Sequence, residues 1–113
     1  VRVDDTAVQP VFSSRRRRSE MAEERRSVTI VNELGLHARA ASKLVQLASK
    51  YPVELQIGRE EMMVNAKSIM GVLMLAASKG TELSLVASGN DADVKGALDA
   101  VVGLISERFG EGK

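Results

Sequence analysis

Cysteine and tryptophan are absent from the 113 residues, and His37 is the sole histidine. These gaps exclude disulfides, thiol nucleophiles, Cys-bearing zinc sites and any site needing two imidazoles. A carboxylate-held Mg²⁺ stays open in principle, but no residue pattern nominates a metal or a cofactor. Aromatics are limited to Phe12, Tyr51 and Phe109, so any core must be aliphatic. No apolar run approaches the ~18 residues of a membrane span, and none follows the arginine cluster as a secretory signal would. The expectation is a cytoplasmic protein without membrane insertion. Sixteen basic residues against 15 acidic ones give a net charge of +1, without the basic excess of a nucleic-acid binder. The length fits one domain and excludes a multidomain enzyme.

Charge and pattern divide the chain near Ser27. Residues 1–26 carry seven of the ten arginines, five acids and no apolar periodicity, which predicts a disordered N-terminal extension. The run Arg15 to Arg18 lacks interleaved aromatics and reads as a solvated tail more readily than as a phosphate-binding one. Met21 stands just ahead of the first patterned segment, so the natural start is expected there. Counted from Met21, 11 basic residues face 12 acidic ones, for a net charge of −1. The folded domain is then expected over residues 27–110, with 111–113 as a C-terminal tail.

From Ser27 onward strand and helix periods alternate. Val28 to Asn32 is β-branched and reads as a strand closed by Gly35. Ala38 to Lys50 has Ala41, Leu44, Val45, Leu47 and Ala48 at helical spacing, ended by Pro52. Val53, Leu55 and Ile57 alternate with polar residues in a second strand, and a turn over Gly58 to Glu61 leads to a short partner, Met62 to Val64. Lys67 to Ala77 is an apolar helix capped by Ser68 and bounded by Gly80. Thr81 to Ser88 alternates again. A last helix starts from a cap at Asn90 or Asp91 and runs to Phe109, with Val94, Ala97, Leu98, Val101, Leu104 and Ile105 on one face. The order β-α-β-β-α-β-α predicts an α/β (α+β) two-layer open-faced sandwich, three helices on one side of a four-stranded, mostly antiparallel sheet. Met62, Met63, Met70 and Met74 are available as core fillers or as contacts.

Chemistry concentrates at His37, in Gly35-Leu36-His37-Ala38-Arg39. A histidine at a helix N-terminus faces unpaired backbone N–H groups and the positive end of the dipole, which favour an anion and disfavour an imidazolium. A neutral imidazole can attack phosphorus and later leave, and Arg39 could neutralise phosphoryl oxygens during transfer. No Gly-x-Ser-x-Gly, P-loop or Gly-x-Gly-x-x-Gly is present, and a lone histidine with no reactive partner does not turn over a substrate. On chemistry alone, a role for His37 as an N-cap or turn residue weighs equally.

Leu34-Gly35-Leu36-His37-Ala38-Arg39-Ala40-Ala41, followed about thirty residues on by Asn65-Ala66-Lys67-Ser68-Ile69-Met70-Gly71-Val72-Leu73, closely resembles the HPr family, the histidine-containing phosphocarriers of the bacterial phosphotransferase system. The resemblance covers Ser27 to Phe109. It implies sheet order 1-4-2-3, and a phosphoryl group carried on the δ1 nitrogen of His37, received from enzyme I, which is charged by phosphoenolpyruvate, and given to an enzyme IIA. Arg39 matches the family's active-site arginine, and the backbone of Ala38, Arg39 and Ala40 is placed to hold phosphate. Such a protein is a stoichiometric carrier, not an enzyme, and a monomer is the usual state. The family most often has proline where this chain has Ala40. Alanine leaves the first helical turn more flexible, by about 0.4–1 kcal/mol, and restores an N–H. That departure bears on the choice between sugar uptake and the nitrogen-related branch, and leaves the chemistry intact.

Ser68 carries two readings. Structurally it is an N-cap; by resemblance it matches the serine modified by an HPr kinase/phosphorylase, where a phosphate would put negative charge in the docking surface. Ile69, Met70 and Leu73 belong either to the core or, as the resemblance implies, to an apolar patch that docks enzyme I and enzyme IIA. Two other functions compete with the carrier: a regulatory HPr-like module acting through the state of Ser68 without significant phosphotransfer, and a nucleic-acid binder using the arginine tail.

Overall fold

In the computed structural model, which describes residues 21–59 and 61–113, β1 runs over Met21–Thr29 and pairs antiparallel with β4, Glu82–Asn90, from Met21 opposite Asn90 to Thr29 opposite Glu82. β4 pairs on its other side with β2, Glu54–Arg59, and β2 with β3, Met62–Asn65, again antiparallel. The sheet order is therefore β1-β4-β2-β3, as the resemblance implies, and antiparallel throughout. Three helices complete it: α1 over Ala38–Ala48, α2 over Ile69–Met74 and α3 over Asp91–Ser106. A 3₁₀ turn at Arg108–Gly110 follows.

The period-2 pattern explains which face is covered. Val28, Leu55, Ile57, Leu83, Leu85 and Ala87 are buried, while their neighbours Thr29, Glu54, Gln56 and Glu82 are exposed. The apolar sides of the helices close this face with Leu44, Val72, Val94, Leu98, Val101 and Ile105, in one continuous aliphatic core that takes Phe109 as its aromatic. α3 lies against β1 and β4, and α1 packs on both other helices. This is the two-layer open-faced sandwich. No helix among the described residues is long and apolar enough to cross a membrane.

Several element boundaries differ from the sequence expectation. Residues 21–26 are not disordered: they form most of β1. Their alternation joins half-buried Ala22, Glu24 and Arg26 to exposed Met21, Glu23 and Arg25, so polar residues occupy both faces and no hydrophobic period betrays the strand. Ion pairing stands in for apolar burial there. Arg26 Nη1 donates to Asp99 on α3 at 2.8 Å, and Glu24 lies 3.6 Å from Nη2. Residues 30–32, expected in the strand, lie beyond its end. α1 stops at Ala48, two residues before Lys50, with Ser49 as its C-cap.

α2 is six residues long, not the eleven expected from Lys67 to Ala77. Ser68 is its N-cap, its hydroxyl accepting from the Gly71 N–H at 3.2 Å. Beyond Leu75 the chain turns through Ala76 at φ 49°, so the buried Leu75 and Ala77 reach the core from irregular backbone. α3 is capped by Asn90, which accepts from the Ala92 N–H at 3.0 Å, with Asp91 and Asp93 in the first turn. It ends at Ser106, and Phe109 is buried at φ 56°. Residues 1–20, with Arg15 to Arg18 and the stretch ahead of the expected start at Met21, and Glu60 in the expected Gly58 to Glu61 turn, lie outside the described residues.

Candidate functional site

Asn32 to His37 connect the sheet to α1, and their path is set by a close backbone approach. Beyond β1, the Ile30 N–H donates to Thr81 at 2.9 Å and its carbonyl accepts from Gly80 at 2.8 Å. Gly35 then turns the chain at φ +69°. A Cβ there would stand 2.6 Å from the Ala77 carbonyl oxygen. Without one, the Leu36 N–H reaches that carbonyl at 2.9 Å, and Leu36 is buried.

His37 follows as the N-cap of α1 in extended backbone, yet its ring makes no capping hydrogen bond. The Ala41 N–H donates to the His37 carbonyl at 2.8 Å. The three N–H groups before it, on Ala38, Arg39 and Ala40, therefore have no partner within the helix and stand at its positive end. Such groups suit an anion. Ala40 is fully buried, backbone included, and only Ala38 and Arg39 of the first turn reach the open side.

The ring is held from an unexpected direction. Lys43, on the polar face of α1, donates from Nζ to the Phe109 carbonyl at 2.7 Å, and the reversal at Arg108 and Phe109, both at positive φ, carries Glu111 back over the start of α1. Glu111 Oε2 accepts from His37 Nε2. Its Oε1 accepts from Asn32 Nδ2 at 2.9 Å, and the same amide donates to the Gly35 carbonyl at 2.9 Å. Two oxygens facing one amide nitrogen fix its orientation, since a flipped amide would set oxygen against both acceptors. Asn32 is fully buried and its Oδ1 has no partner among the described residues. The hydrogen bond from His37 holds the Glu111 carboxyl below the usual carboxylate range; the Asn32 amide and the Lys43 charge act in the same direction and burial opposes them.

An open cleft results, lined by Glu33 and Leu34 from the loop, His37, Ala38 and Arg39 from α1, and Glu111, Gly112 and Lys113. The structure thus places His37, Ala38 and Arg39 along one cleft. Arg39 is exposed and makes no hydrogen bond or ion pair among the described residues. Ser68 and its neighbours do not line this cleft; they lie on α2, which packs on α1. Ile69, Met70 and Leu73 are 41%, 69% and 36% exposed, so the core reading of these three fails. Met74 and Leu34 are exposed as well, at 63% and 71%. Among the described residues no three His, Asp or Glu side chains cluster to hold a metal.

A family model described as the PTS HPr component phosphorylation site matches residues 24–107. The chain belongs to the HPr family. The phosphocarrier protein HPr of Pseudomonas aeruginosa is 53% identical over 87 residues, which cover 76% of this chain and 94% of that protein. The phosphocarrier protein NPr of Shewanella violacea is 46% identical over 86 residues, covering 76% and 92%. The crystal structure of HPr-C-His from Thermoanaerobacter tengcongensis superposes with a TM-score of 0.75 at 40% identity, covering 80% of this chain and 99% of that one. This chain is an HPr-type phosphocarrier of the phosphotransferase system. Beyond the residues of the family motif, the site of this chain adds Asn32, Lys43 and Glu111. The sequence pattern places Asn32 in a strand and Glu111 in a tail, and singles out nothing at Lys43. No local period marks them, because each acts across the fold.

Proposed function

We propose that His37 accepts a phosphoryl group on Nδ1 from phospho-enzyme I, which is charged from phosphoenolpyruvate, and passes it to an enzyme IIA. The observation that carries this reading is the ring itself: Nε2 is engaged by Glu111, while Nδ1 has no partner among the described residues, on the N-cap residue of a helix. Nδ1 is the nitrogen left to attack phosphorus. The N–H groups of Ala38 and Arg39 then face the phosphoryl oxygens, whereas the buried Ala40 does not reach them, and the Arg39 guanidinium offsets their charge as it builds during transfer. The protein acts in the cytoplasm as a monomer and a reloaded carrier. Incubation with phosphoenolpyruvate and the cognate enzyme I, read by intact mass, is expected to add one acid-labile phosphoryl group. No addition to the folded protein would sink the proposal.

Ile69, Met70 and Leu73 form the docking patch for enzyme I and enzyme IIA. Their exposure supports it, since a short α2 spends on the surface apolar side chains that would otherwise contribute to the core. A transient relay uses a small interface in which one side chain can dominate. Met70→Asp is expected to lower the kcat/KM of enzyme I for this carrier about 10- to 100-fold with little change in stability, since Met70 is mostly exposed. Loading of the folded variant at the wild-type rate would show that the patch lies elsewhere.

Ser68 is proposed as a regulatory phosphorylation site for an HPr kinase/phosphorylase. Its capping hydroxyl is half-buried, adjoining exposed Ile69, so a phosphate there sits at a helix start and charges the patch. The two roles separate by substitution. Ser68→Ala removes the cap and is expected to cost about 1 kcal/mol in urea denaturation without slowing loading. Ser68→Asp keeps a capping oxygen and nearly full stability, yet is expected to weaken enzyme I binding several-fold, as titration calorimetry would record. Equal binding by both variants would remove the regulatory role. Between sugar uptake and the nitrogen-related branch, similarity to relatives called HPr and NPr alike supports the shared relay step.

A further inference from the structure

We propose that Glu111 is the positioning residue of the phosphoryl-accepting histidine, selecting the ring tautomer and keeping the phosphorylated ring in its transferable, Nε2-protonated form. The inference rests on the phosphocarrier reading of His37 and adds a group outside its motif, 74 positions along the chain.

The geometry is that of a carboxylate prepared for one partner. The two oxygens divide their contacts, with Oε2 meeting His37 Nε2 and Oε1 held by a fully buried amide, Asn32 Nδ2, at 2.9 Å. Lys43 fixes the approach of the segment through the Phe109 carbonyl, and the Glu33 N–H meets the Lys113 carbonyl at 3.3 Å on the far side. An exposed tail glutamate would have no reason to be oriented at three points. A carboxylate can only accept, so the shared proton resides on Nε2 and the lone pair on Nδ1.

The consequences follow through both half-reactions. On loading, the Nδ1 lone pair forms a bond to phosphorus as the bond from phosphorus to its donor in phospho-enzyme I breaks, and the donor keeps that electron pair. Nε2 keeps its proton, so the ring gains positive charge facing Oε2. On unloading, an enzyme IIA nucleophile bonds to phosphorus, the N–P pair returns to Nδ1, and the neutral ring is restored with Nε2 still protonated. Loss of the Nε2 proton from the loaded ring would turn the leaving group into an imidazolate and stop transfer. Glu111 opposes that loss. The other charged groups facing the ring are Arg39 and Glu33 beside it in the cleft, Lys113 on the end segment and Lys43 behind Glu111; all are unchanged in the variants below.

The sole histidine gives the test a clean signal. In ¹⁵N-detected imidazole spectra of the unphosphorylated full chain, the neutral ring of the wild type is expected to populate the Nε2–H tautomer almost alone, and that of Glu111→Gln to show a mixture. For the loaded proteins, transfer to enzyme IIA across pH 6 to 9 is expected to fall off at lower pH in Glu111→Gln, by about 10- to 100-fold at pH 8, with Glu111→Asp closer to the wild type. Identical tautomers and superimposable pH profiles in folded Glu111→Gln would overturn the inference, as would Glu111→Asp and Glu111→Gln behaving alike. The tautomer readout needs no phosphotransfer, so a wild type that never loads would refute the carrier reading and leave this test standing on its own.

Discussion

His37→Ala is expected to abolish loading altogether while leaving the fold in place. With phosphoenolpyruvate and enzyme I in excess, the wild type gains one phosphoryl group and the variant gains none, whatever the incubation time. The fold should survive because the ring caps nothing and its one hydrogen bond among the described residues, to Glu111, lies at a side chain that is still 27% exposed. Its loss costs at most about 1.5–3 kcal/mol, the range for a bond to a charged group, readable as a shift in urea midpoint. Arg39→Ala differs in kind: the nucleophile remains and the charge that meets the phosphoryl oxygens is gone, so loading slows about 10²- to 10³-fold without vanishing. Arg39→Lys recovers part of the rate, since a point charge replaces a fork. A phosphoryl group still acquired by His37→Ala, for example on Ser68, would refute His37 as the acceptor, and a wild-type rate in Arg39→Ala would remove the guanidinium from the step.

How much of this was legible before the fold was known depended on whether the signal was local. The strands β2 and β4 and the helices α1 and α3 announce themselves by apolar period, because one face of each is buried in the same aliphatic layer. The residues at His37 and Arg39 were legible too, since the strand-to-helix junction that exposes the ring is itself written in neighbouring residues. β1 was not, because Glu24 and Arg26 occupy its inward positions and Asp99, far along the chain, makes them acceptable there. α2 was misjudged in length for the opposite reason. Leu75 and Ala77 are apolar and buried, but they reach the core after the helix has ended, and burial alone cannot distinguish the two backbones. The contacts of Asn32, Lys43 and Glu111 lie at separations of 79, 66 and 74 residues. A pattern confined to a window of a few turns has no access to them, whereas the family motif reached His37, Arg39 and Ser68 directly.

Gly35→Ala is expected to cost about 2–5 kcal/mol and to disturb the site from below. Two penalties combine. An L side chain at φ +69° costs about 1–2 kcal/mol. The added Cβ also meets backbone, 2.6 Å from the Ala77 oxygen and 2.9 Å from the Ser78 Cα, where no flexible side chain can yield, and such overpacking costs about 1–3 kcal/mol. For a domain of this size the thermal midpoint should fall by about 10–20 °C. Gly80→Ala separates the two effects: Gly80 is also at positive φ, +92°, but an added Cβ there meets nothing within 4 Å. Only the conformational cost remains, about 1 kcal/mol. The functional consequence distinguishes the glycines further. If the Gly35 loop must retreat from Ala77, the Leu36 hydrogen bond to that carbonyl is lost, and His37, next in sequence, leaves the register in which Glu111 meets Nε2. Loading should then fall in Gly35→Ala even at temperatures where it is fully folded, and stay unchanged in Gly80→Ala. Equal destabilisation and equal loading in the two variants would mean that the approach to Ala77 does not set the position of the histidine.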